Sequence, residues 1–160
     1  MIQVRLNCNS RLLAALLVLV TLGLSACKDD VLLTPLDSEQ LVSGRLGGTW
    51  AKPTNIVTPD GVPAEIFGSM RLVFTTDGSG KPAQFLGQEC PIIFSGSAGT
   101  WQVSGTQDEA SIKLTGITPV DEFKAKVSST ALVISFKMGW ENTETGVTGE
   151  GDFSVTLSRQ

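Results

Sequence analysis

An all-β fold is predicted: an antiparallel up-and-down meander of about eight strands that closes into a barrel, behind one short helix. Two observations predict it. From about residue 45 almost to the C-terminus, apolar residues recur with a period of two, the repeat of a strand with one buried face. The segments between are short and rich in Gly, Ser and Asp, and no stretch supplies the dozen or so helical residues that a parallel crossover requires. A sheet with one wholly apolar face must curl onto itself or pack on a second layer, and closure also removes its exposed edges.

The 160-residue chain begins with a segment that belongs to no barrel. Residues 1–26 carry Arg5 and Arg11 and no acid, and 11 of the 13 residues from Leu12 to Leu24 are Leu, Val or Ala. A charged start and an apolar run too short for a membrane span read as a secretory signal peptide. Leu24-Ser25-Ala26-Cys27 follows directly. It resembles the lipobox of bacterial lipoproteins, in which the cysteine thiol receives a diacylglycerol. The resemblance implies cleavage before Cys27 and anchorage of the protein to a membrane through its acyl chains, each buried methylene contributing about 0.8 kcal/mol. Lys28, Asp29 and Asp30 are similar to the export signal that some Gram-negative lipoproteins use to reach the outer face of the outer membrane, and they also suit a solvated tether.

The remaining organisation is read in chain order. Residues 27–44 form the acylated tether and a short helix, with an Asp37 or Ser38 N-cap and Gly44 at its end. Residues 45–160 form the barrel domain. A first strand lies around Leu46 to Ala51. Inward sets follow at Met70, Leu72 and Phe74; at Trp101 and Val103; and at Ile112 and Leu114. They continue with Phe123, Ala125 and Val127, then Leu132, Ile134, Phe136 and Met138, and finally Phe153, Val155 and Leu157. A divided strand spans Ala83 to Phe94. No charged residue falls on the inward set. Tight connections are expected at Asp77-Gly78-Ser79-Gly80, Ser95 to Gly99, Gln107-Asp108-Glu109 and Ser128-Ser129-Thr130. Two segments break the rhythm. Lys52 to Gly68 holds three prolines but keeps Ile56, Val57, Val62, Ile66 and Phe67, which suits either a lid or a loop packed on the core. Gly139 to Gly151 is a glycine-rich, acidic hairpin tip that carries Trp140.

These elements are similar to the lipocalin-like domains of small bacterial surface lipoproteins, over about residues 40 to 160. The resemblance rests on Gly47-Gly48-Thr49-Trp50, Leu72-Val73-Phe74-Thr75-Thr76-Asp77-Gly78-Ser79, Gly99-Thr100-Trp101-Gln102-Val103-Ser104-Gly105-Thr106, and Ser129-Thr130-Ala131-Leu132-Val133-Ile134-Ser135-Phe136. It implies an up-and-down barrel of about eight strands with a long first loop near the open end and Trp50 closing the base. The break at Gly87 to Pro91 departs from the pattern at the third and fourth strands.

Composition narrows the function. The chain has no histidine, so Ser-His-Asp and Cys-His nucleophiles, imidazole metal sites and a histidine switch are excluded. Glu141, Asn142, Glu144, Glu150 and Asp152 match no calcium-loop spacing, and the acid pairs Asp108-Glu109 and Asp121-Glu122 lie at turns. No catalytic residue, metal or cofactor is expected, and the chain is read as not an enzyme. After the first 26 residues the net charge is −6 with no basic stripe, which argues against nucleic acid and against anionic headgroups. Cys90, in an apolar run with no histidine to activate it, reads as a buried hydrophobe. Two functions remain open. One is a membrane-anchored barrel that binds a small apolar ligand through Phe67, Trp101, Phe136 and Trp140, although Trp101 is in phase with Val103 on the inward face, which favours a core role for it. The other is an interaction or structural protein with a filled barrel and loops that meet a protein or glycan partner.

Overall fold

The computed structural model describes residues 35–96, 98–143 and 145–160. Cys27, Lys28, Asp29 and Asp30, with residues 1–26, lie outside the described residues. Described here is the compact unit Leu36–Gln160.

Helix α1 (Ser38–Leu46) is set by a capping box: Asp37 Oδ1 accepts from the Gln40 backbone N–H at 2.7 Å, and Gln40 Oε1 accepts from the Asp37 N–H at 3.0 Å. It runs past Gly44, the end read from the sequence, because Val42 and Leu46 fall four apart and both enter the core. Ten strands follow: β1 (Gly48–Val57), β2 (Arg71–Thr76), β3 (Pro82–Gln88), β4 (Phe94–Ser95), β5 (Gly99–Gly105), β6 (Ala110–Thr115), β7 (Thr118–Pro119), β8 (Glu122–Val127), β9 (Ala131–Asn142) and β10 (Val147–Arg159). Eight of them close an antiparallel barrel in the order β1-β10-β9-β8-β6-β5-β3-β2, while β4 and β7 pair as a separate ribbon. The barrel is therefore an up-and-down meander, with only the ribbon interrupting it.

Every inward-facing residue of the alternating sets is buried except Met138, which is half-buried. Two elements are longer than the alternation indicates. β1 continues to Val57 through Pro53 by taking up register shifts against β10, with positive φ at Lys52 (57°) and Asn55 (47°). The β9–β10 hairpin extends beyond Phe136 and Phe153, where Met138 faces Gly151 and Trp140 faces Gly149. Glycine on one strand leaves room for the bulky partner on the other, so the apolar period vanishes from β10 while the pairing persists.

The barrel has two differently closed ends. At one, α1 lies across the ends of β2 and β5; Gln40 Nε2 donates to Ser79 O at 2.8 Å, and Trp50 is fully buried with its Nε1 donating to Leu46 O at 2.7 Å. The Asp77 turn there is fixed by its own carboxylate, which accepts from Ser79 Oγ at 2.7 Å and from the backbone N–H groups of Ser79 and Lys81. The hydroxyl of Ser79, then those amides, hold the Asp77 carboxyl below its usual range. At the other end the loop after β1 forms a 3-10 turn (Ala64–Phe67) that drops Phe67 onto Phe136 and Phe153, with ring centroids 6.3 and 6.0 Å away.

Between these ends the barrel is full. All seven phenylalanines form one connected set of ring contacts, joined by Trp101 against Phe74 at 5.1 Å. Phe123 lies 6.5, 6.4 and 5.7 Å from Phe74, Phe85 and Phe94, and Phe136 stacks on Phe153 at 5.4 Å. An eight-stranded barrel is about the size that side chains can just fill, and aromatic rings fill this one.

Cys90 is buried beside the ribbon, and desolvation pushes its thiol up to about 11. Maleimide modification of the native protein is expected to be at least 100-fold slower than that of the urea-unfolded chain, as followed by mass spectrometry. Equal rates would place the thiol at the surface.

Candidate functional site

The functional surface is built at the end opposite α1. Here the overhang of the β9–β10 hairpin meets the loop that follows β1. Because Gly151 has no side chain, Pro59 of that loop settles against the strand, in the place a Cβ would occupy. Gly149 does the same for Trp140: a Cβ there would stand 2.7 Å from the indole Cζ2. The indole therefore lies flat along its own hairpin and reaches Gly61, rather than projecting into solvent.

In front of it opens a cleft of about 470 Å³. Val62, Pro63 and Ile66 of the loop form one wall, Met138 and Trp140 of β9 another, and Ile92 and Pro119 from either side of the ribbon a third. Glu141, Asn142 and Thr143 supply the polar rim. Ile92 is 63% exposed, a large apolar side chain held in water at the edge of an apolar surface. The three tryptophans differ in a way that singles one out. Trp50 and Trp101 give their Nε1 protons to backbone carbonyls, at 2.7 Å to Leu46 O and 2.9 Å to Thr75 O. Among the described residues, Trp140 Nε1 is the buried side-chain polar atom with no acceptor, and leaving such a donor unpaired costs about 1–3 kcal/mol.

The residues singled out from the sequence are distributed unequally. Phe67 and Trp101 are buried within the barrel, and Phe136 is 6% exposed in the stack with Phe153. Phe67 and Phe136 are brought together; Trp101 stands apart from them, against Phe74 and toward the α1 end. Trp140 lines the cleft. Ile92 and Pro119 carried no signal in the sequence, since only closure of the sheet brings the ribbon beside the hairpin.

A larger concavity, about 590 Å³, lies along β8, β9 and β10, where outward residues such as Lys124, Lys137 and Asp152 are joined by Val57 and by the buried Phe123, Phe136 and Phe153. Its exposed lining is polar and charged, and the neighbouring ion pair of Lys137 with Glu150 spans 3.9 Å at the surface, so that part offers little that water does not. Among the described residues no group of three or more His, Cys, Asp or Glu is placed to hold a metal ion.

Together these features define a closed eight-stranded antiparallel barrel, filled by its own aromatic side chains, with an apolar cleft on the rim. No protein-family model matches the chain, and no curated protein matches it in sequence.

Proposed function

We propose that the protein is a non-catalytic binding module, anchored to a membrane through acylated Cys27, that holds a small apolar ligand in the rim cleft and uses the barrel as a rigid scaffold. The supporting observation is a contrast in placement. The interior is occupied by Phe74, Phe85, Phe94 and Phe123, whereas the rim leaves Ile92, Met138 and Trp140 around open space. The site is thus carried outward from the barrel interior to its mouth, beneath the loop that follows β1. The lining offers Glu141, Asn142 and Thr143 and neither histidine, cysteine nor lysine, which supports binding over catalysis.

The anchor rests on Leu24-Ser25-Ala26-Cys27 following the apolar run, and Lys28-Asp29-Asp30 supports delivery to the outer face of an outer membrane. The chain enters the barrel unit at its α1 end, which leaves the cleft at the far end. A second reading, docking of a protein partner on this same end, is supported by two large apolar side chains exposed there, Val147 at 54% and Ile92 at 63%.

The test uses the full-length protein in lipid nanodiscs, titrated with benzyl alcohol and followed through the three indole N–H resonances. Movement of the Trp140 signal alone is expected. Movement of Trp101, or of none, sinks the cleft. Separately, Cys27→Ala is expected to leave the membrane fraction, and pelleting unchanged would refute the anchor.

A further inference from the structure

The charge of the ligand can be read from the loops that surround the cleft. Four connections gather at this end: residues 58–70, 89–98, 116–121 and 143–146, with the hairpin overhang 139–149. They contain Asp60, Glu65, Glu89, Asp121 and Glu141, all exposed, and not one Lys or Arg. The opposite end is mixed, with Arg45, Lys81 and Arg159 among Asp37, Glu39, Asp77, Asp108 and Glu109. Basic residues elsewhere on the barrel stand on its wall, at Lys52, Lys113, Lys124, Lys126 and Lys137, and Arg71, the exposed first residue of β2, stands at the cleft end. Among the residues that line the cleft, the one charged residue is Glu141, the neighbour of Trp140 along β9.

We infer that the cleft selects small organic cations with an apolar body, such as an aromatic or alkyl ammonium, over neutral and anionic molecules of the same size. This rests on the binding role proposed above. Three effects act in the same direction. The apolar walls bury the body of the ligand. The π-face of tryptophan attracts a cation electrostatically. The acidic rim, in which Asp60, Glu65, Glu89, Asp121 and Glu141 outnumber Arg71, raises the local concentration of cations and repels carboxylates. A fatty-acid headgroup would meet Glu141 with no countercharge in the lining.

A matched series separates charge from size: benzyltrimethylammonium, benzyl alcohol and phenylacetate, each titrated against full-length protein in nanodiscs, with empty nanodiscs subtracted. The cation is expected to bind about five-fold more tightly than the alcohol, and phenylacetate more weakly than either. Glu141→Gln is expected to bring the cation down toward the alcohol, so that the ratio of the two affinities falls toward one. Raising the salt is expected to shrink the cation preference in the same way. If the alcohol or phenylacetate binds as well as the cation, charge selection is refuted while the cleft stands. If none of the three moves the Trp140 resonance, the cleft itself fails. Trp140→Leu, with the fold checked by circular dichroism, is expected to weaken all three; unaltered binding would place the site elsewhere.

Discussion

Replacing Phe123 with alanine is expected to lower the stability of the protein by about 3–5 kcal/mol, among the largest losses of any single truncation in the barrel. Phe123 is 2% exposed on β8 and meets Phe74, Phe85 and Phe94, rings delivered by β2, β3 and β4. Strands on both sides of the barrel axis thus lean on one side chain. Removing its ring withdraws apolar area from burial and leaves a cavity that the surrounding rings cannot collapse into, since the closed hydrogen-bonded wall fixes their Cα positions. The chemical denaturation midpoint is expected to fall with the slope unchanged, and the melting temperature to drop by roughly 10–20 °C. Phe123→Leu, which refills part of the space, is expected to lose much less, and Lys124→Ala on the outer face to stay within about 0.5 kcal/mol of the parent. A Phe123→Ala protein as stable as Lys124→Ala would mean that the rings do not pack as a unit.

Trp50→Ala is expected to cost a similar amount, about 3–5 kcal/mol, for a different reason. The ring is fully buried at the junction of α1 and β1, its Nε1 satisfies Leu46 O, and the Arg159 guanidinium lies over its face, 4.4 Å from the ring centroid. Arg159 in turn donates to Gly47 O at 2.8 Å, to Ser129 O at 3.1 Å and to Arg45 O. One side chain thereby orients the cation that ties the helix, the C-terminal strand and the β8–β9 turn together. Trp50→Phe separates packing from polar satisfaction. It keeps most of the ring and leaves the Leu46 carbonyl unpaired, at an expected cost of about 1–3 kcal/mol. Hydrogen exchange of α1 amides is expected to accelerate more in Trp50→Ala than in Phe123→Ala at matched global stability; equal protection would mean that Trp50 holds the core and not the helix.

The alternation at Leu132, Ile134 and Phe136 and at Phe153, Val155 and Leu157 was legible because both flanking strands bury one face and solvate the other. Trp140 and the apolar residues of the Lys52 to Gly68 loop also stood out, as large apolar groups in segments otherwise built for solvent. The hairpin beyond Met138 was not legible. Its partner positions are glycines, whose role is to leave volume for Pro59 and Trp140, and an absence of side chain carries no period. The cleft as a whole was hidden for a related reason. Ile92 lies in the turn before β4 and Pro119 on β7, and their neighbours are set by barrel closure across more than 20 residues of chain. Sequence reasoning left hollow and filled barrels open because the same inward set of Phe and Leu suits either; ring-to-ring distances, a property of the closed wall, decide between them.

The central claim is that the interior is full and that binding belongs to the rim. Xenon enters preformed apolar cavities of adequate size without requiring a hydrogen bond, so crystals of the protein under xenon pressure examine that claim directly. Xenon is expected beside Met138 and Trp140, in the cleft, with none among Phe74, Phe85, Phe94 and Phe123, and to appear among those rings only in Phe123→Ala. Xenon between the rings of the unaltered protein would show a hollow barrel and return the binding site to its interior.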